Sequence, residues 1–134
     1  MLTKINHLGI AVPSLSEAIP FYRDHLGMTF QGTDEVAEQQ VRVAFFQIGE
    51  SKIELLEPTG PESPIAKFIA KNGAGIHHVA YEVDDLVEAL RKLESEGVRM
   101  IDRTPRTGAH GTLIAFIHPK ASGGVLTELC QLAH

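Results

Sequence analysis

Two histidines and two glutamates stand at matching places in this chain. His7 opens the run His-Leu-Gly-Ile-Ala-Val, and 71 residues later His78 opens His-Val-Ala-Tyr-Glu-Val. Glu54 lies in Lys-Ile-Glu-Leu-Leu, and 74 residues later Glu128 lies in Leu-Thr-Glu-Leu-Cys. Imidazole nitrogen and carboxylate oxygen together suit a divalent ion such as zinc, cobalt, manganese, iron or nickel. Two carboxylates cancel its charge, and an octahedral ion held by all four groups keeps two adjacent positions for a substrate that chelates through two oxygens. Taken singly, a strand histidine reads as a hydrogen-bonded structural residue and a strand glutamate as a wet-face charge. Recurrence of both types in both halves of the chain favours the metal.

Strands must carry these groups. Residues two apart on a strand share a face, so Leu8, Ile10 and Val12 point to a core, as do Val79, Tyr81 and Val83. His7, Gly9 and Ala11, and in the copy His78, Ala80 and Glu82, take the other face, where the small neighbours leave room beside each imidazole. Glu54 and Glu128 sit among apolar neighbours, and a carboxylate sent into an interior costs several kcal/mol unless a positive group meets it.

The repetition continues into helices. Ser14 with Glu17 and Asp85 with Glu88 are capping boxes, while Gly27 and Gly97 are placed to end helices in a left-handed conformation. Pro20 should kink the first helix. Strand-like runs follow at 28–30, 41–48 and 52–57, and again at 98–101, 112–117 and 125–132. Each half therefore reads as βαβββ. Ser63 and Pro64 open a connecting helix that Gly73 can stop. The predicted class is α+β: two βαβββ modules, about 1–58 and 75–134, joined by a connector at about 63–73, forming a curved mixed sheet around a metal-binding cavity.

Composition bounds the possibilities. With 134 residues and 43% hydrophobic content the chain suits one domain. Cys130 is the single cysteine, which excludes an internal disulfide framework and suits the cytoplasm. No apolar run approaches a membrane span of roughly 20 residues, and the first residues do not read as a signal peptide. A net charge of −5 argues against nucleic acid as partner.

These segments resemble the vicinal oxygen chelate superfamily, which includes glyoxalase I and extradiol dioxygenases, and within it the methylmalonyl-CoA epimerases. The resemblance rests on His-Leu-Gly-Ile-Ala-Val at 7, Ile-Glu-Leu-Leu-Glu-Pro at 53, Ser-Pro-Ile-Ala-Lys-Phe at 63, His-His-Val at 77, Gly-Ala-His-Gly at 108 and His-Pro-Lys at 118 with Gly-Gly-Val-Leu-Thr-Glu-Leu after it. It implies His7, His78 and Glu128 as metal ligands. Glu54 stands where the family can carry a glutamine, either binding the ion directly or through a water. The resemblance also implies cobalt as the favoured ion, an acyl-CoA substrate, inversion at its C2 by proton transfer, and a homodimer.

Inversion needs one proton-transfer group on each face of C2. By the same resemblance these are Glu38 in Ala-Glu-Gln-Gln-Val and Glu128; from the residues alone, Glu38 reads as a solvated loop charge. Coenzyme A phosphates need basic partners that the sequence does not single out. Of the remaining histidines, His25 reads as helix surface, His77 as facing away from His78, His134 as terminal, and His110 and His118 as loop positions with open roles. The alternatives are a glyoxalase I-like lyase acting on a hemithioacetal and a non-catalytic drug-binding protein on the same fold.

Overall fold

A computed structural model describes residues 1–133. Eight strands form in the order Leu2–Ala11 (β1), Thr29–Val36 (β2), Val41–Ile48 (β3), Ser51–Pro58 (β4), Gly75–Val83 (β5), Arg106–Thr107 (β6), Leu113–Ile117 (β7) and Leu126–Gln131 (β8). Three α-helices join them: Leu15–Pro20 (α1), Pro64–Asn72 (α2) and Leu86–Ser95 (α3). The chain divides into one unit of His7–His77 and another of Met1–Asn6 together with the residues from His78 on.

In the first unit the strand order is β2-β3-β4-β1. Helix α1 feeds the chain to the far edge, so the last strand returns to lie parallel beside the first, with His7 opposite Lys52 and Gly9 opposite Glu54. The other two pairings are antiparallel. Alternation sorts the strands into two layers. Ala44, Phe46, Ile53 and Leu55 pack with Val12 and Leu15. On the opposite face Ala11, Val41, Val43 and Leu56 pack against Ile65 of the connector, α2. The connector therefore covers part of the face that carries His7 and Glu54.

The second unit repeats the plan, with strands in the order β5-β8-β7-β6 and β8 parallel to β5. Val83, Ala115, Ile117 and Leu129 meet Leu86, Ala89 and Leu90 of α3. Residues 1–6 belong here because Thr3 donates to the Glu82 carbonyl at 3.2 Å, Asn6 donates to the Glu82 carboxylate at 3.1 Å and Lys4 lies 4.0 Å from it. The division of the chain consequently falls inside β1, immediately before His7.

Local chemistry sets the element ends. Ser14 Oγ accepts from the Glu17 amide and Asp85 Oδ1 from the Glu88 amide, satisfying donors that a helix start leaves open. Gly27 and Gly97 have φ of 73° and 74°, the left-handed conformation that glycine adopts without a side-chain clash. Ser63 caps α2, whose last turn closes with the Gly73 amide on the Ile69 carbonyl at 2.8 Å. Pro20 acts more strongly than a kink: α1 ends there and Phe21–His25 form a π turn, with the Leu26 amide reaching the Phe21 carbonyl.

Two strands differ from expectation. Residues 98–101 contribute only a bridge between Met100 and Ile117. Asp102 Oδ2 takes the Phe116 amide at 2.8 Å, so the backbone ladder stops and resumes at Arg106 and Thr107 after Pro105, which has no amide to give. Conversely, β2 runs on to Val36 through the polar stretch Gln31–Glu35. It pairs on one side only and bulges at Gln31, between Phe30 and Gly32, so its side chains carry little apolar alternation.

Candidate functional site

The first candidate pair arises from parallel register. His7 and Gly9 lie on one face of β1, and Gly9 is opposite Glu54, which sets the carboxylate on the face that carries the imidazole. His7 Nδ1 lies 3.4 Å from Glu54 Oε2. Burial lowers the His7 pKa to about 4, assisted by the charge of Lys52. The ring is therefore neutral at physiological pH, the form in which an imidazole binds a metal. Burial acts oppositely on Glu54, raising its pKa to about 7 against the favourable charge of Lys52.

The second pair repeats the geometry. Ala80 lies opposite Glu128 in the parallel pairing of β5 and β8, as Gly9 does opposite Glu54. His78 Nε2 lies 3.6 Å from Glu128 Oε1, beyond the roughly 2.7–3.2 Å of an N–H···O hydrogen bond. Phe116 is directly across from Glu128 on β7, and its ring meets the His78 ring nearly edge-on at 6.1 Å. Among the described residues, His7, His78 and Glu128 are the buried histidine and carboxylate side chains, and all three are metal-ligand types. Glu54 is less enclosed, with 18% of its side chain exposed. Donors of these types, imidazole nitrogen and carboxylate oxygen, fit a divalent ion.

Glu38 occupies a different element. It lies exposed in the 3₁₀ turn Ala37–Gln39 between β2 and β3, beside a cavity of about 300 Å³ that Gln39, Gln40, Glu62 and Pro64 also line. Gln40 closes this turn with φ of 53°, its amide donating to the Ala37 carbonyl and its carbonyl accepting from the Thr59 amide at 2.8 Å. The turn is thus tied to the segment leading into α2.

The other histidines have separate placements. His77 meets the Phe68 ring edge-on at 4.9 Å and its pKa is lowered by burial. His118 Nδ1 accepts from the Lys120 amide, capping a short turn. His110 sits exposed in a left-handed conformation, and His25 is exposed on the π turn. His134 lies outside the described residues. Sequence reasoning missed Phe116, whose place beside His78 and Glu128 is set by strand register; its only sequence signal was strand alternation within 112–117.

A family model described as Glyoxalase/Bleomycin resistance protein/Dioxygenase superfamily matches residues 6–116. The chain is 42% identical over 134 residues to the ethylmalonyl-CoA/methylmalonyl-CoA epimerase of Cereibacter sphaeroides, covering 98% of this chain and all of that one. It is 44% identical to the mitochondrial methylmalonyl-CoA epimerase of Mus musculus, covering 97% of this chain and 74% of the other. A solved methylmalonyl-CoA epimerase in complex with methylmalonyl-CoA and NH4+ superimposes with a TM-score of 0.92 at 40% identity, covering 99% of this chain and 96% of its own. Matches of this extent, with a His/Glu pair at the equivalent strand positions of both modules, leave one assignment: the chain belongs to the glyoxalase/bleomycin resistance protein/dioxygenase superfamily and has its fold.

Proposed function

We propose that this protein is an isomerase that inverts C2 of methylmalonyl-CoA, with His7, Glu54, His78 and Glu128 as one ligand set for a divalent ion and Glu38 and Glu128 as the proton-transfer groups. One observation carries the reaction. Over nearly its whole length the chain is 40–44% identical to proteins named methylmalonyl-CoA epimerase, one of them solved with methylmalonyl-CoA bound. The metal draws support from the buried donor set and from a family whose members typically bind a divalent ion. Cobalt is the ion proposed.

The hydrogen at C2 lies between a thioester and a carboxylate, and its removal leaves a planar carbanion delocalised onto the thioester oxygen. A bound divalent ion supplies Lewis-acid stabilisation of that negative charge, worth several kcal/mol. The protein's own task is to move a proton on each face. Glu38, carried on its turn, takes the C2 proton from one face and Glu128 returns one to the other, with the roles reversed for the opposite isomer. Each positioned carboxylate contributes about 10²- to 10⁴-fold.

Residues 1–134 are proposed to act as a single domain, in the cytoplasm, as a homodimer. A single cysteine, buried on β8, suits a reducing compartment. Exposed Leu2 and Ile5 on β1 offer apolar surface to a second copy. Among the described residues, no helix is long and apolar enough to cross a membrane.

Incubation with methylmalonyl-CoA in heavy water, with and without cobalt, tests the reading. Deuterium is expected at C2, faster with cobalt and suppressed by chelators. Conversion of methylglyoxal and glutathione without C2 exchange would instead establish the lyase. Tight ligand binding with neither reaction would establish a drug-binding protein.

A further inference from the structure

Residues 118–120 open the turn between β7 and β8, and neither the proposed ligand set nor the proton-transfer pair uses them. Strand alternation sets which way they turn. Ile117 lies in the core with α3, and Val98 and Met100 pack against that core. Met100 is bridged to Ile117, and the His118 amide donates to the Arg99 carbonyl at 3.1 Å, so Arg99 and His118 are neighbours on the opposite face. That face also carries Phe116, two residues before His118, whose ring meets His78 and which lies across from Glu128. Lys120 is tied to the same imidazole, its amide donating to His118 Nδ1 at 3.0 Å. With Nδ1 occupied as an acceptor, the neutral ring keeps its proton on Nε2.

Arg99 and Lys120 lack counterions. In this unit Lys4, Arg91, Lys92, Arg103 and Arg106 each pair with an acidic side chain. Arg99 and Lys120 are both exposed and pair with none among the described residues. Neither 118–125 nor 98–101 contains an Asp or a Glu. Loss of hydration and the charges of Arg99 and Lys120 lower the His118 pKa, so the ring stays a neutral donor beside two cations. In a chain of net charge −5, an unpaired guanidinium and ammonium next to a donor imidazole form a local site for an anion.

We propose that Arg99, His118 and Lys120 bind a phosphate group of the coenzyme A portion of the substrate, a reading that rests on the epimerase assignment. The thioester and carboxylate oxygens next to C2 are the pair that a divalent ion chelates, so the phosphates are the negative charge the substrate has left to be met. Placement agrees with this. Along a strand His118 lies about 7 Å beyond Phe116, so the cluster stands apart from His78 and Glu128 on the face they share. The pantetheine arm that leads away from C2 is itself uncharged, and the phosphates follow it. The donors suit phosphate: a guanidinium offers two parallel N–H groups to two phosphate oxygens, and an ammonium adds a point charge.

The test compares two ligands on cobalt-loaded protein by calorimetry. Methylmalonyl-CoA carries the phosphates; methylmalonyl-pantetheine is the same thioester without them. Arg99→Gln with Lys120→Gln is expected to weaken methylmalonyl-CoA about tenfold or more and to change methylmalonyl-pantetheine less than about twofold. The charge-keeping pair Arg99→Lys with Lys120→Arg should retain most of the lost affinity. Equal losses for both ligands would overturn the proposal, as would unchanged binding of both. Free coenzyme A separates this site from the reaction. If the glutamine pair weakens its binding while wild-type protein exchanges no deuterium at C2, the phosphate site stands and the epimerase reading falls. If C2 exchange proceeds and the glutamine pair leaves every affinity unaltered, the epimerase reading stands and the phosphate site falls.

Discussion

Glu38 and Glu128 share a residue type and differ in everything else. Glu128 is buried on β8 beside His78, whereas Glu38 is exposed on a turn. Their substitutions should therefore separate. Glu38→Gln is expected to keep about one divalent ion per chain while slowing deuterium exchange about 10²- to 10⁴-fold from one stereoisomer and less from the other. Stereoisomer-resolved exchange with metal analysis of the same sample checks this, and equal slowing of both isomers would leave Glu38 a pocket-shaping role only. Glu128→Gln should lose exchange from both isomers together with bound metal. His7→Ala should weaken metal binding by more than the roughly 10- to 100-fold typical of losing an outer partner, as measured by competition with a chelator. The identity of Glu38 was legible only through a motif, because no periodicity marks an exposed turn.

At the scale of elements, each last strand does two jobs. Glu54 and Glu128 point to the site face. Three residues on, Glu57 and Gln131 turn to the other face, where Glu57 Oε2 accepts the Leu15 amide at 3.0 Å and Gln131 Oε1 accepts the Leu86 amide at 2.8 Å. One strand thereby pins the start of its module's helix and fixes the carboxylate behind it. Gln131→Ala should cost about 1 kcal/mol in urea unfolding, the usual scale of a lost helix-start acceptor. Glu57→Ala should cost at least as much, since Arg42 also lies 3.3 Å from that carboxylate; losses near zero would show that water replaces these caps. The pairing was open to sequence reading, being offset by the same 74 residues as the glutamates, but a capping side chain distant along the chain leaves no local signal. Helix caps, alternation and the βαβββ order were legible because they depend on near neighbours. The lapse at 98–101 was not, because a side chain, Asp102, occupies the position a backbone carbonyl would take.

For the whole molecule, the site's protonation should appear in stability. His7 has a folded pKa of about 4 against 6.5 when free, so the unfolded chain binds the extra proton between those values and stability rises with pH across that window. Glu54 runs the other way, its folded pKa near 7 against 4.5, so the folded chain binds the extra proton and stability falls as pH rises from 4.5 to 7. Each swing is about 3 kcal/mol, and they oppose each other between 4.5 and 6.5. Metal-free protein should accordingly show a nearly flat contribution from this pair there, then lose only the last of the Glu54 part between pH 6.5 and about 7. An ion that needs the ionised carboxylate competes with its proton below about pH 7 and relieves its buried charge above it. The rise in Tm produced by a fixed cobalt concentration should thus be larger at pH 8 than at pH 5.5, and Glu54→Gln should abolish most of that difference. An equal rise at both pH values in the wild type would remove Glu54 from the ligand set and leave the histidines and Glu128 to hold the ion alone.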